Sequence, residues 1–368
     1  MPTVVQSTVA MVNLKPLTER VDAIQSFDSQ ETILVTVTDA DGISGTGYAY
    51  TIGNGGSSIC ALLQDQLLPR LIGRDADRIE SIWRELLFSI HALTVGPVAS
   101  LALAAIDTAL WDLRCRRAGL PLHIAAGGAQ ERLPLYSTEG GWLHLSQDEL
   151  VKDALARQAA GFHGAKIKIG RPSAQEDHER LAAVRTAVGP SWSLMVDANQ
   201  RFTQSEALMR CAALADVGLS WIEEPLPADD VAGHARLAAA SPIPIAVGES
   251  LYSLTQFKDY LHYEACHIVQ VDVARIGGIT PWLKVAHLAE AYNVAVSPHF
   301  LMELHANLGT AVPNCTWIEY IPQLQDVARS QLVIKDGYAH ASHEPGLGIE
   351  WDWNRINDLA DPAGVTIT

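Results

Sequence analysis

The sequence predicts an α/β protein: a (β/α)8-type, TIM-like barrel carrying an N-terminal α+β capping domain that the C-terminal tail completes. Three observations support this. From about residue 130, short apolar runs alternate with helical stretches, and eight such runs can be read. Three of them, VDAN, WIEEP and VGES, place an acid at positions 197, 223 and 249, two equal steps of 26. The chain's 368 residues are also more than one ordinary core holds, so a large barrel plus a smaller domain fits the length.

The first 128 residues read as the capping domain. TVAMVNL, ETILVTVTDADG and GTGYAY are strand-like, and DADG at 39–42 is a hairpin turn. Helical periodicity follows in SSICALLQDQLLPRLIG, DRIESIWRELL and SLALAAIDTALWDLRCRRAG, the last stopped by Gly119 and Pro121. Residues 129–325 read as the barrel, with strands at PLYST, AKIKIG, SLMVDAN, SWIEEP, PIAVGES, HIVQVDV, VAVSPH and TWIEY. Helices such as LVKDALARQAAGF, EDHERLAAVRTAV and TPWLKVAHLAEAYN lie between them. Residues 326–368 form a short Pro/Gly-rich tail expected to return to the cap.

Composition narrows the function. There are 26 basic and 42 acidic residues, a net charge of −16, which disfavours nucleic acid and anionic membrane as partners. An anionic substrate must then be drawn in by a local cation. The five cysteines are scattered and form no CxxC pair, which points to reduced, buried thiols in a cytoplasmic protein. The N-terminus has no basic region or cleavage site, and the apolar stretch Pro97–Leu113 contains Asp107, so it reads as a buried helix rather than a membrane span.

In a barrel of parallel strands, active residues sit at the C-terminal strand ends. Here those ends carry Lys168, Asp197, Glu223, Glu249, Asp272, His299 and Glu319. Asp197, Glu223 and Glu249 are hard oxygen donors on adjacent strands, a set that suits Mg2+. Glu224 is expected to point away from them by strand alternation. Lys166 and Lys168 stand at i and i+2 and share a face. Two neighbouring ammoniums are expected to lower each other's pKa, leaving one as a general base near neutrality. Asp272 behind His299 would fix the imidazole tautomer and make a second acid/base. Glu319 could hydrogen-bond a substrate carboxylate. Asn199, Trp142, His144 and Arg20 are candidate substrate contacts, and His305 reads as a helix-face residue. GNGG at 53–56 lacks the context of a dinucleotide fingerprint and reads as a flexible lid.

Together these positions resemble the enolase superfamily in its mandelate racemase subgroup. The resemblance rests on Lys166, Lys168, the three carboxylates, the Asp272/His299 pair and Glu319. A muconate-cycloisomerase-like chain would carry lysine near strand six, where this chain has VQVDVARIGG. Phrases such as YSTEGGWLH, LMVDANQ, WIEEPLPADDVAGHARLAAA and SPHFLMELH are similar to the galactarate/L-talarate and related acid-sugar dehydratases. The resemblance implies a Mg2+-dependent hydro-lyase, usually a symmetric homo-oligomer, acting on a small hydroxy acid or acid sugar. Lys168 would take the proton α to the carboxylate, Lys166 and Mg2+ would stabilise the enediolate, and His299 would help the β-hydroxyl leave, giving a 2-keto-3-deoxy acid. Racemisation or epimerisation by the same Lys/His pair is the alternative, and a non-catalytic barrel the more distant one. Specificity is expected from loops near Leu17–Thr32 and Thr51–Ser58, where Arg20 is the only basic residue of the first.

Overall fold

A computed structural model describes residues 1–360 and 365–368. The cap opens with β1 (Val4–Leu14), the short pair β2 (Arg20–Val21) and β3 (Ser26–Phe27), and the hairpin β4 (Gln30–Asp39) and β5 (Ser44–Thr51). Helices α1 (Gly56–Leu62), α2 (Ile79–Ser89), α3 (Pro97–Ala118) and α4 (Leu122–Ala125) follow. The DADG turn joins β4 to β5 as expected, and Gly119, with φ +65°, ends α3 in the left-handed conformation. The Ala-rich α3 is buried along most of its length.

Helix α3 lies close on β5 because β5 carries glycines where the two backbones meet. A Cβ at Gly47 would fall 2.2 Å from the Ala109 nitrogen and 2.5 Å from the Ala105 oxygen. The helix also supplies acceptors to β5: Thr46 N–H donates to Asp112 Oδ2 (2.8 Å) and Tyr48 N–H to Thr108 Oγ1 (3.2 Å). Side chains thus cover a sheet edge that would otherwise be open. Gly47→Ala is expected to lower stability by more than about 2 kcal/mol, because backbone rather than a flexible side chain must move. An unchanged thermal unfolding midpoint would refute this.

The barrel follows as β6 (Arg132–Ser137), α5 (Gln147–Ala159), β7 (Gly164–Lys168), α6 (Ala174–Val188), β8 (Ser193–Asp197), α7 (Gln204–Ala213), β9 (Ile222–Glu223) and α8 (Val231–Ala240). It continues with β10 (Ile245–Val247), α9 (Leu254–His262), β11 (Ile268–Val269), α10 (Ile279–Ala291), β12 (Ala295–Val296), α11 (Met302–Ala311) and β13 (Ile318–Tyr320). Ser146 and Glu149 form a capping box on α5, and Ser173 caps α6, which fixes where those helices leave their loops. Strands β6 to β12 pair in parallel in chain order, and β13 pairs with β6. A parallel bridge between Val296 and Cys315 completes the ring. Seven strands are followed by a helix; among the described residues none intervenes between β13 and the next strand.

The tail first adds a hairpin, β14 (Val333–Lys335) and β15 (Tyr338–His340), antiparallel to the start of β6. After α12 (Trp353–Leu359), β16 (Val365–Ile367) pairs antiparallel with β1, giving the cap sheet the order β16-β1-β4-β5. All five cysteines are free and buried. No helix among the described residues is long and apolar enough to cross a membrane. In the segment read as a flexible lid, Gly53, Asn54 and Gly55 are exposed, and it is anchored at its end, where Gly56 N–H donates to Glu31 Oε2 (2.7 Å).

Candidate active site

The C-terminal ends of the barrel strands and the first loop of the cap line a cavity with about 600 Å³ of empty space, part of it open to solvent. Lys166, Lys168, Asn199, Glu249, His299, Glu319 and Trp142 line it. Asp197, Glu223 and Glu249, at the ends of β8 and β9 and just past β10, are all buried and offer oxygens within 4.8 Å of one another. Asp197 Oδ1 is also held by the Asn199 N–H (2.8 Å), and Glu223 Oε2 by the Gln270 amide (2.7 Å).

The two lysines of β7 reach into this group. Lys166 Nζ donates to both Glu223 oxygens at 2.8 Å and stands 2.9 Å from Glu319 Oε1. Lys168 Nζ donates to Asp197 Oδ2 (2.5 Å) and lies 5.6 Å from the Trp142 ring centre. The expected mutual lowering of the two lysines is therefore not the net outcome. Burial does disfavour both ammoniums, but Glu223 and Glu319 hold Lys166 well above its ordinary value, and Asp197 holds Lys168 above its own. Each lysine sets its ammonium against one of the carboxylates. Glu223 is nevertheless raised, since burial and its acidic neighbours outweigh Lys166.

His299, past the end of β12, directs Nδ1 at Asp272 Oδ2 (2.9 Å), so Nε2 faces the carboxylate ring, 3.1 Å from Glu249 Oε2. Burial opposes the imidazolium, but Glu249 and Asp272 raise its pKa above the usual value. Asp272 is pushed down to about 2, against burial, chiefly by His299. Its other oxygen accepts the Ala274 (2.8 Å) and Arg275 (3.1 Å) N–H groups. Glu319 is held by Thr138 Oγ1 (2.5 Å) and the Phe300 N–H (2.8 Å), which keeps a carboxylate beside Lys166.

Several placements differ from expectation. Glu224 turns into the cavity: its φ of +37° breaks strand alternation, and it is held by Gln200 (2.9 Å) and Ser250 (3.1 Å). Its carboxyl is raised well above the ordinary range, first by burial. Arg20 does not face the cavity; its guanidinium is bound to Glu139 (2.8 Å) and the Pro322 carbonyl (2.8 Å). His144 is also outside the lining, 3.8 Å from Glu19 on the surface of the same loop. His305 is a helix residue as expected, buried in α11, with Nδ1 at the Phe300 carbonyl (3.1 Å) and Nε2 accepting the Val273 N–H (3.2 Å). Burial lowers it to about 4.

The sequence reading missed Tyr50 and Arg275. Tyr50, on β5 of the cap, donates its hydroxyl to Asp272 Oδ2 (2.7 Å) and accepts from Arg275 Nε (3.2 Å). The cap thus supports the Asp272/His299 pair directly. Tyr50→Phe is expected to lower kcat about tenfold or more, as loss of an outer hydrogen bond to a working residue commonly does. Thermal stability should change little; an unchanged kcat would refute the role.

The three buried carboxylates pass a chemical test for a hard divalent cation. They are oxygen-only, converge, and leave Glu249 Oε2 without an aligned hydrogen bond.

The chain is similar to known proteins over most of its length. Residues 5–126 match the mandelate racemase / muconate lactonizing enzyme N-terminal domain, and residues 149–355 the enolase C-terminal domain-like family. The chain is 38% identical over 316 residues to the L-talarate/galactarate dehydratase of Salmonella typhimurium, covering 86% of this chain and 79% of the relative. It is 37% identical over 332 residues to the 3,6-anhydro-alpha-L-galactonate cycloisomerase of Streptomyces coelicolor, covering 90% and 91%. The solved Salmonella typhimurium dehydratase liganded with Mg and L-lyxarohydroxamate superposes with a TM-score of 0.94 at 33% identity, covering 99% of this chain and 94% of that one.

Proposed function

Since the chain belongs to the mandelate racemase/muconate lactonizing enzyme family of the enolase superfamily, we propose that it is a Mg2+-dependent hydro-lyase that dehydrates an acid sugar to a 2-keto-3-deoxy acid. The observation that carries this reading is the joint placement of two acid/base groups, Lys168 and His299, around one buried carboxylate ring.

Asp197, Glu223 and Glu249 are the residues that would hold Mg2+, whose role is to supply Lewis-acid charge to the substrate carboxylate. Lys166 brings its ammonium to the same carboxylate and meets the negative charge that grows there as the α-proton leaves. Lys168 Nζ takes that proton. For this it must be relieved of Asp197, which now holds it as an ammonium. His299 Nε2, with Nδ1 anchored on Asp272, gives a proton to the departing β-hydroxyl, which leaves as water. Glu319, already bonded by Thr138 and Phe300, orients Lys166 and the carboxylate end of the ligand. Trp142 and the cap loop keep bulk water from the reacting carbon.

The same two groups can serve an isomerase in which no water is lost, and the likeness to a cycloisomerase gives this second reading its support. A panel of acid sugars in D2O with Mg2+ separates the two. The dehydratase reading expects 2-keto product. Deuterium at the α-carbon without keto product across the panel would refute it in favour of the isomerase.

A further inference from the structure

The two ends of the cavity differ in chemistry. The cationic side chains Lys166, Lys168 and His299 gather at the carboxylate ring, the end that on the reading above takes the acid group of a ligand. Arg275 belongs to that end too: it donates to the Glu249 carbonyl (3.0 Å) and to Tyr50, and stands 3.7 Å from Glu249 Oε1.

On its cap side the cavity is covered by the loop around β2 and β3, whose Asp22 is still within electrostatic reach of Lys168 and Asp197. It turns Asp22, Ile24, Gln25 and Phe27 to the cavity, and none of these is a cation. The loop's one basic residue, Arg20, is taken up by Glu139 and the Pro322 carbonyl and lines a separate pocket. Asp22 is almost fully buried. Its Oδ1 accepts the Ile24 (2.7 Å) and Gln25 (2.8 Å) N–H groups, which fixes the loop and leaves Oδ2 for a ligand. The one cation that acts on Asp22 is Lys168, and that ammonium is already held by Asp197. A hydroxyl group can hydrogen-bond to such a carboxyl, whereas a second carboxylate adds like charge beside it.

We propose that this site takes a sugar acid with a single carboxylate, its far end carrying hydroxyl or ether oxygens, and that Asp22 selects against a second carboxylate there. The inference rests on the acid-sugar reading above and narrows it.

The test uses Lys168→Arg protein with Mg2+, in which the charge is kept but the proton acceptor is lost, so that binding is read without turnover. Calorimetric dissociation constants are measured for pairs of six-carbon acids differing only in oxidation at C6, such as galactonate and galactarate. The single-carboxylate member of at least one pair should bind tenfold or more tightly. Asp22→Asn, which keeps the Oδ1 acceptor for the loop, should bring that ratio within about threefold of one, as expected for loss of one repulsive charge. Tighter binding of the dicarboxylates, a ratio indifferent to Asp22→Asn, or no binding by either class would overturn the proposal. Failure of the acid-sugar reading is recognised separately: wild-type enzyme would then give neither keto product nor α-deuteration with any acid of either class.

Discussion

Lys168→Ala is expected to lower kcat by about 10³ or more and to abolish α-proton exchange on one face of the substrate. A positioned general base alone contributes about 10²–10⁴ in rate, and here the same nitrogen also helps neutralise Asp197. The neighbouring Lys166 cannot substitute, because Glu223 and Glu319 hold its ammonium on both sides. His299→Asn should behave differently. It keeps a polar group beside Asp272 but loses the proton donor, so keto product should fall by a similar factor while exchange at the α-carbon persists. The split is measured by NMR in D2O alongside steady-state rates. Retention of exchange in Lys168→Ala would remove Lys168 from the mechanism. Equal loss of exchange in both variants would show that the two groups do not have separate roles.

Removal of divalent metal is expected to cost at least about 10³ in kcat, equivalent to about 4 kcal/mol at 1.36 kcal/mol per decade, without unfolding the protein. Burying three carboxylates together would ordinarily be costly, but Lys166 and Lys168 each sit on one of them and keep the site compensated. A chelated sample should therefore keep a cooperative thermal transition, and adding back Mg2+ should raise the midpoint. Ligand linkage gives about 2.7 kcal/mol at a hundred times the dissociation constant. Glu249→Gln should remove most of the Mg2+-dependent shift. Activity indifferent to chelation, or a Mg2+ shift that survives Glu249→Gln, would contradict the assignment of these carboxylates.

The barrel was legible because its strands are short and apolar and end in charged groups at a helix-plus-strand interval. The three carboxylates, Lys168 and His299 could be placed from that period, and Lys166 from its i, i+2 spacing to Lys168. What escaped depends on local backbone or on distant contacts. Asn199, Gln200, Glu224 and Phe300, which line the cavity, all have positive φ, a conformation that residue identity does not announce. It is the reason that Glu224 faces inward, against simple alternation. Tyr50 reaches Asp272 across a separation of 222 residues, and no spacing rule could join them. Arg20 shows the converse. As the one cation of its loop it invited a ligand, yet Glu139, on the segment after β6, neutralises it. The lysine pKa argument failed for a related reason: it weighed the two ammoniums against each other and left out the acids facing them.

The pairing of β16 with β1 sets an order of events during synthesis. The edge of β1 that β16 covers leaves the ribosome well before its partner strand, which arrives about 350 residues later. At about 5–20 residues per second, that edge waits for tens of seconds with unpaired N–H and C=O groups, a surface open to pairing with other chains. Over the same interval the loop carrying Asp22 waits for its own partners, since Arg20 binds Glu139 and the Pro322 carbonyl and the Val21 carbonyl accepts the Leu143 N–H. A nascent chain stalled before Val365 is thus expected to hold a formed barrel under an incomplete cap. Chaperone dependence of the yield should accordingly fall on the cap sheet rather than on the catalytic ring.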